Sequence, residues 1–136
     1  MTRMIFINLP VSDLARSTRF YEAIGCTRNA QFSNDEASSM VWSDQIFFHL
    51  LTRDYFATFT SKQIPDAQAT CQVLLCISQD SREAVDGMVA AAVAAGGKAD
   101  PREPMDLDFM YNRALEDPDG HVFELVWMNP DAAPAE

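Results

Sequence analysis

Residues 116–130, EDPDGHVFELVWMNP, decide the fold. Asp117-Pro118-Asp119-Gly120 forms a reverse turn: proline presets the backbone, the aspartates bond nearby N–H groups, and glycine takes the conformation that closes the turn. After it, HVFELVWM (121–128) is rich in β-branched and aromatic residues and reads as a strand. Before it, Phe109 to Leu115 reads as another, so the two form a hairpin. Side chains alternate along a strand, which puts Val122, Glu124 and Val126 on one face and His121 on the other. A carboxylate between two valines is costly to bury unless it meets a cation, a donor or a proton, so Glu124 asks for a partner.

Working outward, CQVLLCIS (71–78) is a strand, Ser81 with Glu83-Ala84 opens an Ala-rich helix, and Gly96-Gly97 ends it. A further strand is expected around Lys98 to Asp100. The first half repeats this order. MIFINL (4–9) is a strand ended by Pro10; Ser12 or Asp13 then caps a helix whose Leu14, Phe20, Tyr21 and Ile24 recur at helical spacing, with Gly25 as the stop. Phe20 and Tyr21 are expected to pack that helix onto a sheet. Three short strands fit between Thr27 and Leu51, separated by SNDEA (33–37) and Ser43-Asp44. The reading is therefore α+β: two βαβββ modules in a single domain, forming a curved mixed eight-strand sheet with a concave ligand cup. Half 1 covers about 1–53 and half 2 about 70–129, with a frayed tail at 130–136. Between the halves, the excursion at about 54–69, with Tyr55, Phe56, Phe59 and Pro65, could lie over a pocket.

At 136 residues the chain can bury a core without disulfide or metal staples. Its formal net charge of -10 argues against a nucleic-acid partner, because such binders concentrate Lys and Arg. No apolar run approaches the roughly 20 residues that span a bilayer, and the N-terminus lacks a leader pattern, so no membrane partner and a cytoplasmic location are expected. Cys26, Cys71 and Cys76 are odd in number and lack a CxxC spacing, which suits reduced, buried thiols.

Three segments resemble the vicinal-oxygen-chelate superfamily of glyoxalases, bleomycin-resistance proteins and extradiol dioxygenases: NLPVSDLARSTRFYEAIGC (8–26), AAAVAAGGKA (90–99) and EDPDGHVFELVWMNP (116–130). Within it the chain is most similar to the predicted lactoylglutathione lyases, through MIFINLPVSDL, DSREAVDGMVAAAVAAGGKA and FMYNRALEDPDGH. The resemblance implies a homodimer and a small-molecule ligand. It also implies one divalent metal (nickel, zinc, manganese or iron) held by side chains from four strands.

Those four positions fall on Phe6, His49, Gln72 or Leu74, and Glu124. A phenyl ring and a leucine cannot ligate, and Gln72 coordinates weakly through its amide oxygen. His49 reads equally as a metal ligand or as a pocket-lining histidine. If a metal is present, the implied chemistry is Lewis-acid polarisation of a carbonyl with Glu124 as ligand or proton shuttle, in a glyoxalase I type lyase or isomerase. Extradiol dioxygenation fits less well, since it wants two histidines and a carboxylate. The competing reading is a metal-free binding protein, with Asn8, Gln72 and His49 as hydrogen-bonding groups and Phe6, Phe47, Leu51 and Leu74 as an apolar wall. Tyr111 and Arg113 are candidates for the pocket rim, Arg113 to meet an anionic ligand.

Overall fold

In the computed structural model, which describes residues 2–131, the chain divides into two compact units, Met1–Asp66 and Ala67–Glu136. The first runs β1 (Ile5–Val11), α1 (Leu14–Ala23), β2 (Thr27–Asn29), β3 (Ala37–Val41), β4 (Ile46–Thr52) and the short α2 (Arg53–Phe56). Its sheet has the order β1-β4-β3-β2, with β1 parallel to β4 and the other pairs antiparallel. Strand β1 continues through Pro10 to Val11 instead of stopping there. It is the edge strand of this sheet, where the missing proline N–H is tolerated.

Asp13 caps α1, its carboxylate accepting from the Arg16 N–H at 3.0 Å. Apolar spacing then seats the helix on one sheet face: Phe20 and Tyr21 are fully buried, their rings edge-on at 5.2 Å, and Tyr21 leans on Phe48 at 5.9 Å. With Met40, Leu50 and Val11 they form this unit's core. Each large side chain so buried contributes about 1.5–3 kcal/mol.

The second unit runs β5 (Leu75–Ser78), α3 (Arg82–Ala94), β6 (Lys98–Ala99), β7 (Met105–Asp106), β8 (Met110–Glu116) and β9 (Val122–Met128). Its order is β5-β9-β8-β6, with β7 also on β8 and β5 parallel to β9. Ser81 caps α3 by accepting from the Ala84 N–H at 3.0 Å. Val85, Val89 and Ala92 of the helix meet a core of Leu115, Phe123 and Leu125. The expected hairpin is present: Asp117 Oδ1 accepts from the N–H groups of Asp119 and His121, both at 2.9 Å. Gly120 is required twice over. Its φ is +96°, and a Cβ there would stand 2.7 Å from the Ala67 carbonyl oxygen.

Several expectations need correcting. The strands number nine among the described residues, in sheets of four and five, where one sheet of eight was expected. The extra one, β7, is two exposed residues beyond Pro104 and too short to show a period. Strand β5 starts at Leu75, four residues later than expected, which leaves Gln72 and Leu74 outside the sheet. Of the thiols only Cys26 is buried, and burial pushes it up to about 12; Cys71 and Cys76 are exposed. Residues 132–136 of the expected frayed tail lie outside the described residues. No helix among the described residues is long and apolar enough to cross a membrane.

Candidate functional site

The face of the first sheet opposite α1 collects the candidates expected there. Cross-strand register pairs Phe6 with Phe47, Asn8 with His49, and His49 with Ser39. The Phe6 and Phe47 rings stack at 4.7 Å with 12° between planes, and the His49 ring stands 5.4 Å from Phe6. Phe6 is half exposed. Burial lowers the His49 pKa below its ordinary value, so the imidazole is neutral at neutral pH, offering one donor nitrogen and one acceptor. Leu51 shares this parity but is buried, opposite Pro10 and Ala37. Asn8 opens onto a hollow of about 300 Å³ whose other walls come from residues 56–65, the excursion expected to lie over a pocket.

In the second unit Glu124 pairs in register with Cys76 and Ala114, on the face opposite α3. Its carboxylate has the partner that its position demands. Arg102 Nη2 donates to Glu124 Oε2 at 3.2 Å and also to the buried Asn112 Oδ1, while Nη1 donates to the Glu103 carbonyl at 2.8 Å. Three acceptors thus fix one guanidinium against the carboxylate. Burial, and then the Glu124 charge, push the neighbouring Cys76 thiol up, with Arg102 acting in the opposite sense. Arg102 sits in a loop without hydrophobic period, so the only sequence signal for it was the partner that Glu124 required.

The remaining candidates lie elsewhere. Gln72 and Leu74 are exposed ahead of β5. Tyr111 and Arg113 have the parity opposite to Glu124 and turn toward α3, away from the face that Glu124 occupies. Tyr111 Oη donates to Asp86 at 2.6 Å, and Arg113 donates to Asp86 at 2.8 Å and to both oxygens of Asp100 at 3.1 and 2.7 Å. The Tyr111 hydroxyl, more than Arg113, lowers the Asp86 pKa, and the Asp100 carboxylate strengthens the proton hold of Arg113. Arg82 completes this cluster, 5.1 Å from the ring centres of both Tyr111 and Trp127 and ion-paired with Asp106. These contacts clamp an Ala-rich helix that has few large side chains of its own.

A family model matches residues 3–125. The chain belongs to the glyoxalase/bleomycin resistance protein/dioxygenase superfamily. Among solved structures, the hypothetical protein SA1046 from S. aureus is similar at 25% identity, with 93% of this chain and 95% of that one covered and a TM-score of 0.78. A glyoxalase/bleomycin resistance protein/dioxygenase family enzyme from Burkholderia phytofirmans PsJN has 19% identity, 94% and 100% coverage and a TM-score of 0.75. TnmS3, an antibiotic binding protein from Streptomyces sp. CB03234, has 21% identity, 95% and 98% coverage and a TM-score of 0.64. No curated protein matches.

The divalent metal implied for this superfamily finds a poor donor set. Phe6 stands at the first position, Gln72 and Leu74 are off the sheet, and Glu124 is engaged by Arg102. No group of three or more His, Cys, Asp or Glu among the described residues could hold a metal ion. The residues present do not fit the group.

Proposed function

We propose that this superfamily member binds a small organic molecule without a metal ion. The observation that carries the reading is the Arg102 guanidinium on Glu124: an organic cation stands where a metal-dependent relative would need an unengaged carboxylate. On the other sheet, the stacked Phe6 and Phe47 rings with the neutral His49 and Asn8 supply the apolar wall and the few polar groups that such ligands need. The fold shared with an antibiotic binding protein agrees with this. The competing reading is a lyase or isomerase of the lactoylglutathione lyase type, with His49 and Glu124 on nickel, zinc, manganese or iron; it lacks donors.

We also take the protein to be a homodimer, since Ile5 and Phe6 at the start of the edge strand β1, with Met4 just ahead of it, leave a half-exposed apolar run. The exposed thiols Cys71 and Cys76 suit a reducing cytoplasm.

The test is titration of chelator-treated protein with nickel, zinc and manganese by calorimetry, on wild type and Glu124→Ala. The expected result is no stoichiometric binding to either. One metal per chain, lost in Glu124→Ala, would overturn the reading in favour of the lyase.

A further inference from the structure

The hollow beside Asn8 differs from both sheet faces in how it is built. Thr52 caps α2 by accepting from the Tyr55 N–H at 3.2 Å, and the chain then turns through residues 57–59. Arg53 reaches across to the far end of the segment, its guanidinium donating to the carbonyls of Ile64 at 3.0 Å and Pro65 at 3.4 Å. Tyr55 and Phe59 stack edge-on at 5.0 Å, and Thr58 Oγ1 donates to the Tyr55 carbonyl at 2.7 Å. Residues 53–65 are therefore tied into a closed loop by their own contacts, and the hollow of about 300 Å³ is preformed. That volume lies at the lower end of the roughly 300–1,000 Å³ typical of sites for small organic ligands.

Its lining is divided. Phe56, Phe59, Ile64 and Pro65 supply apolar walls, and Phe59 is 60% exposed, which leaves its ring accessible to a ligand. Asn8 contributes an amide from the sheet. Lys62 contributes a cation, on a turn held by its own N–H donating to Thr60 Oγ1 at 3.1 Å. It is one of only two lysines in a chain of net charge -10, and its ammonium has no acidic partner among the described residues.

We infer that this hollow is a binding site for a small anion with an aromatic body: the ring packs against Phe59 and Ile64, the anionic group meets Lys62, and Asn8 hydrogen-bonds a polar atom of the ligand. The site lies wholly in the first unit. It shares Asn8 with the aromatic face proposed above and so rests on that face binding a small molecule, but it uses neither Arg102 nor Glu124 and would survive a finding that Glu124 ligates a metal.

The experiment uses two fluorescent probes with the same aromatic body, anilinonaphthalene sulfonate and its uncharged parent phenylnaphthylamine, on the full chain in low salt. Wild type is expected to bind the sulfonate two- to fivefold more tightly, the range of an exposed ion pair. Lys62→Met should remove that preference and leave the uncharged probe unchanged, and 0.5 M salt should do the same to wild type. Phe59→Ser should weaken both probes severalfold. Amide chemical shifts moved by the sulfonate should fall on Asn8 and residues 56–65. Equal affinity for the sulfonate in wild type and Lys62→Met, shifts confined to other residues, or no binding of either probe would each overturn the inference. Circular dichroism of each variant confirms that it is folded.

Discussion

The two units share a strand order, a parallel pair at one edge and a single long helix over one face, yet differ in what each face carries. In the first, an aromatic-rich α1 packs mainly through its rings, Phe20 edge-on to Tyr21 and Tyr21 against Phe48, with one hydroxyl pair from Thr18 to Ser38 of β3 at 2.7 Å. In the second, the Ala-rich α3 offers little width, and a polar cluster of Arg82, Asp86, Asp100, Tyr111 and Arg113 ties its flank to the sheet. The open faces diverge further. One is aromatic with neutral polar groups, and the other holds a carboxylate neutralised by a guanidinium. A common topology needs only one apolar face per sheet, which leaves the opposite face to differ in chemistry.

The strongest way to probe that comparison is to empty the two cores in turn. Phe48→Ala and Phe123→Ala each remove a fully buried ring and should each lose about 3–5 kcal/mol in urea unfolding. Trp42 reports on the first unit and Trp127 on the second. Losses below about 1 kcal/mol would mean that the packing described for that unit is wrong.

A smaller effect should separate the open faces. Arg102→Met leaves Glu124 and Asn112 without their donor and should cost about 1–2 kcal/mol, while His49→Gln at pH 7 should change stability by less than about 0.5 kcal/mol. A double-mutant cycle of Arg102→Met with Glu124→Gln should show coupling of about 1 kcal/mol. Additivity of the two would mean that the pair is incidental.

The smallest effect concerns pH. Desolvation lowers the His49 pKa in the folded chain, so below the ordinary histidine pKa of about 6.5 the unfolded chain takes up a proton that the fold resists. Its stabilising contribution is complete above that pH and is lost as pH falls through the lowered folded value. Wild type should lose stability relative to His49→Gln on acidification through that window, and parallel pH profiles would show that the imidazole does not titrate there.

Much of this architecture was legible in the chain. The caps Asp13 and Ser81, the stop at Gly25 and the turn Asp117–Gly120 are local chemistry, with partners within a few residues, and each is found where its residues place it. Strand parity put Phe6, Asn8, Phe47 and His49 on one face for the same reason. Pro10 misled because its cost depends on whether the strand is an edge, and β7 was missed because two residues have no period.

By itself, then, the sequence determined the order of the longer elements, the helix face of each sheet and the need of Glu124 for a partner, since alternation, capping and burial cost act over short stretches of chain. Only the tertiary structure decided that the partner is Arg102, that Tyr111 and Arg113 serve the helix side, and that residues 53–65 close over a hollow beside Asn8. Those contacts join residues 11 to 57 positions apart, and no local period records which distant side chain arrives.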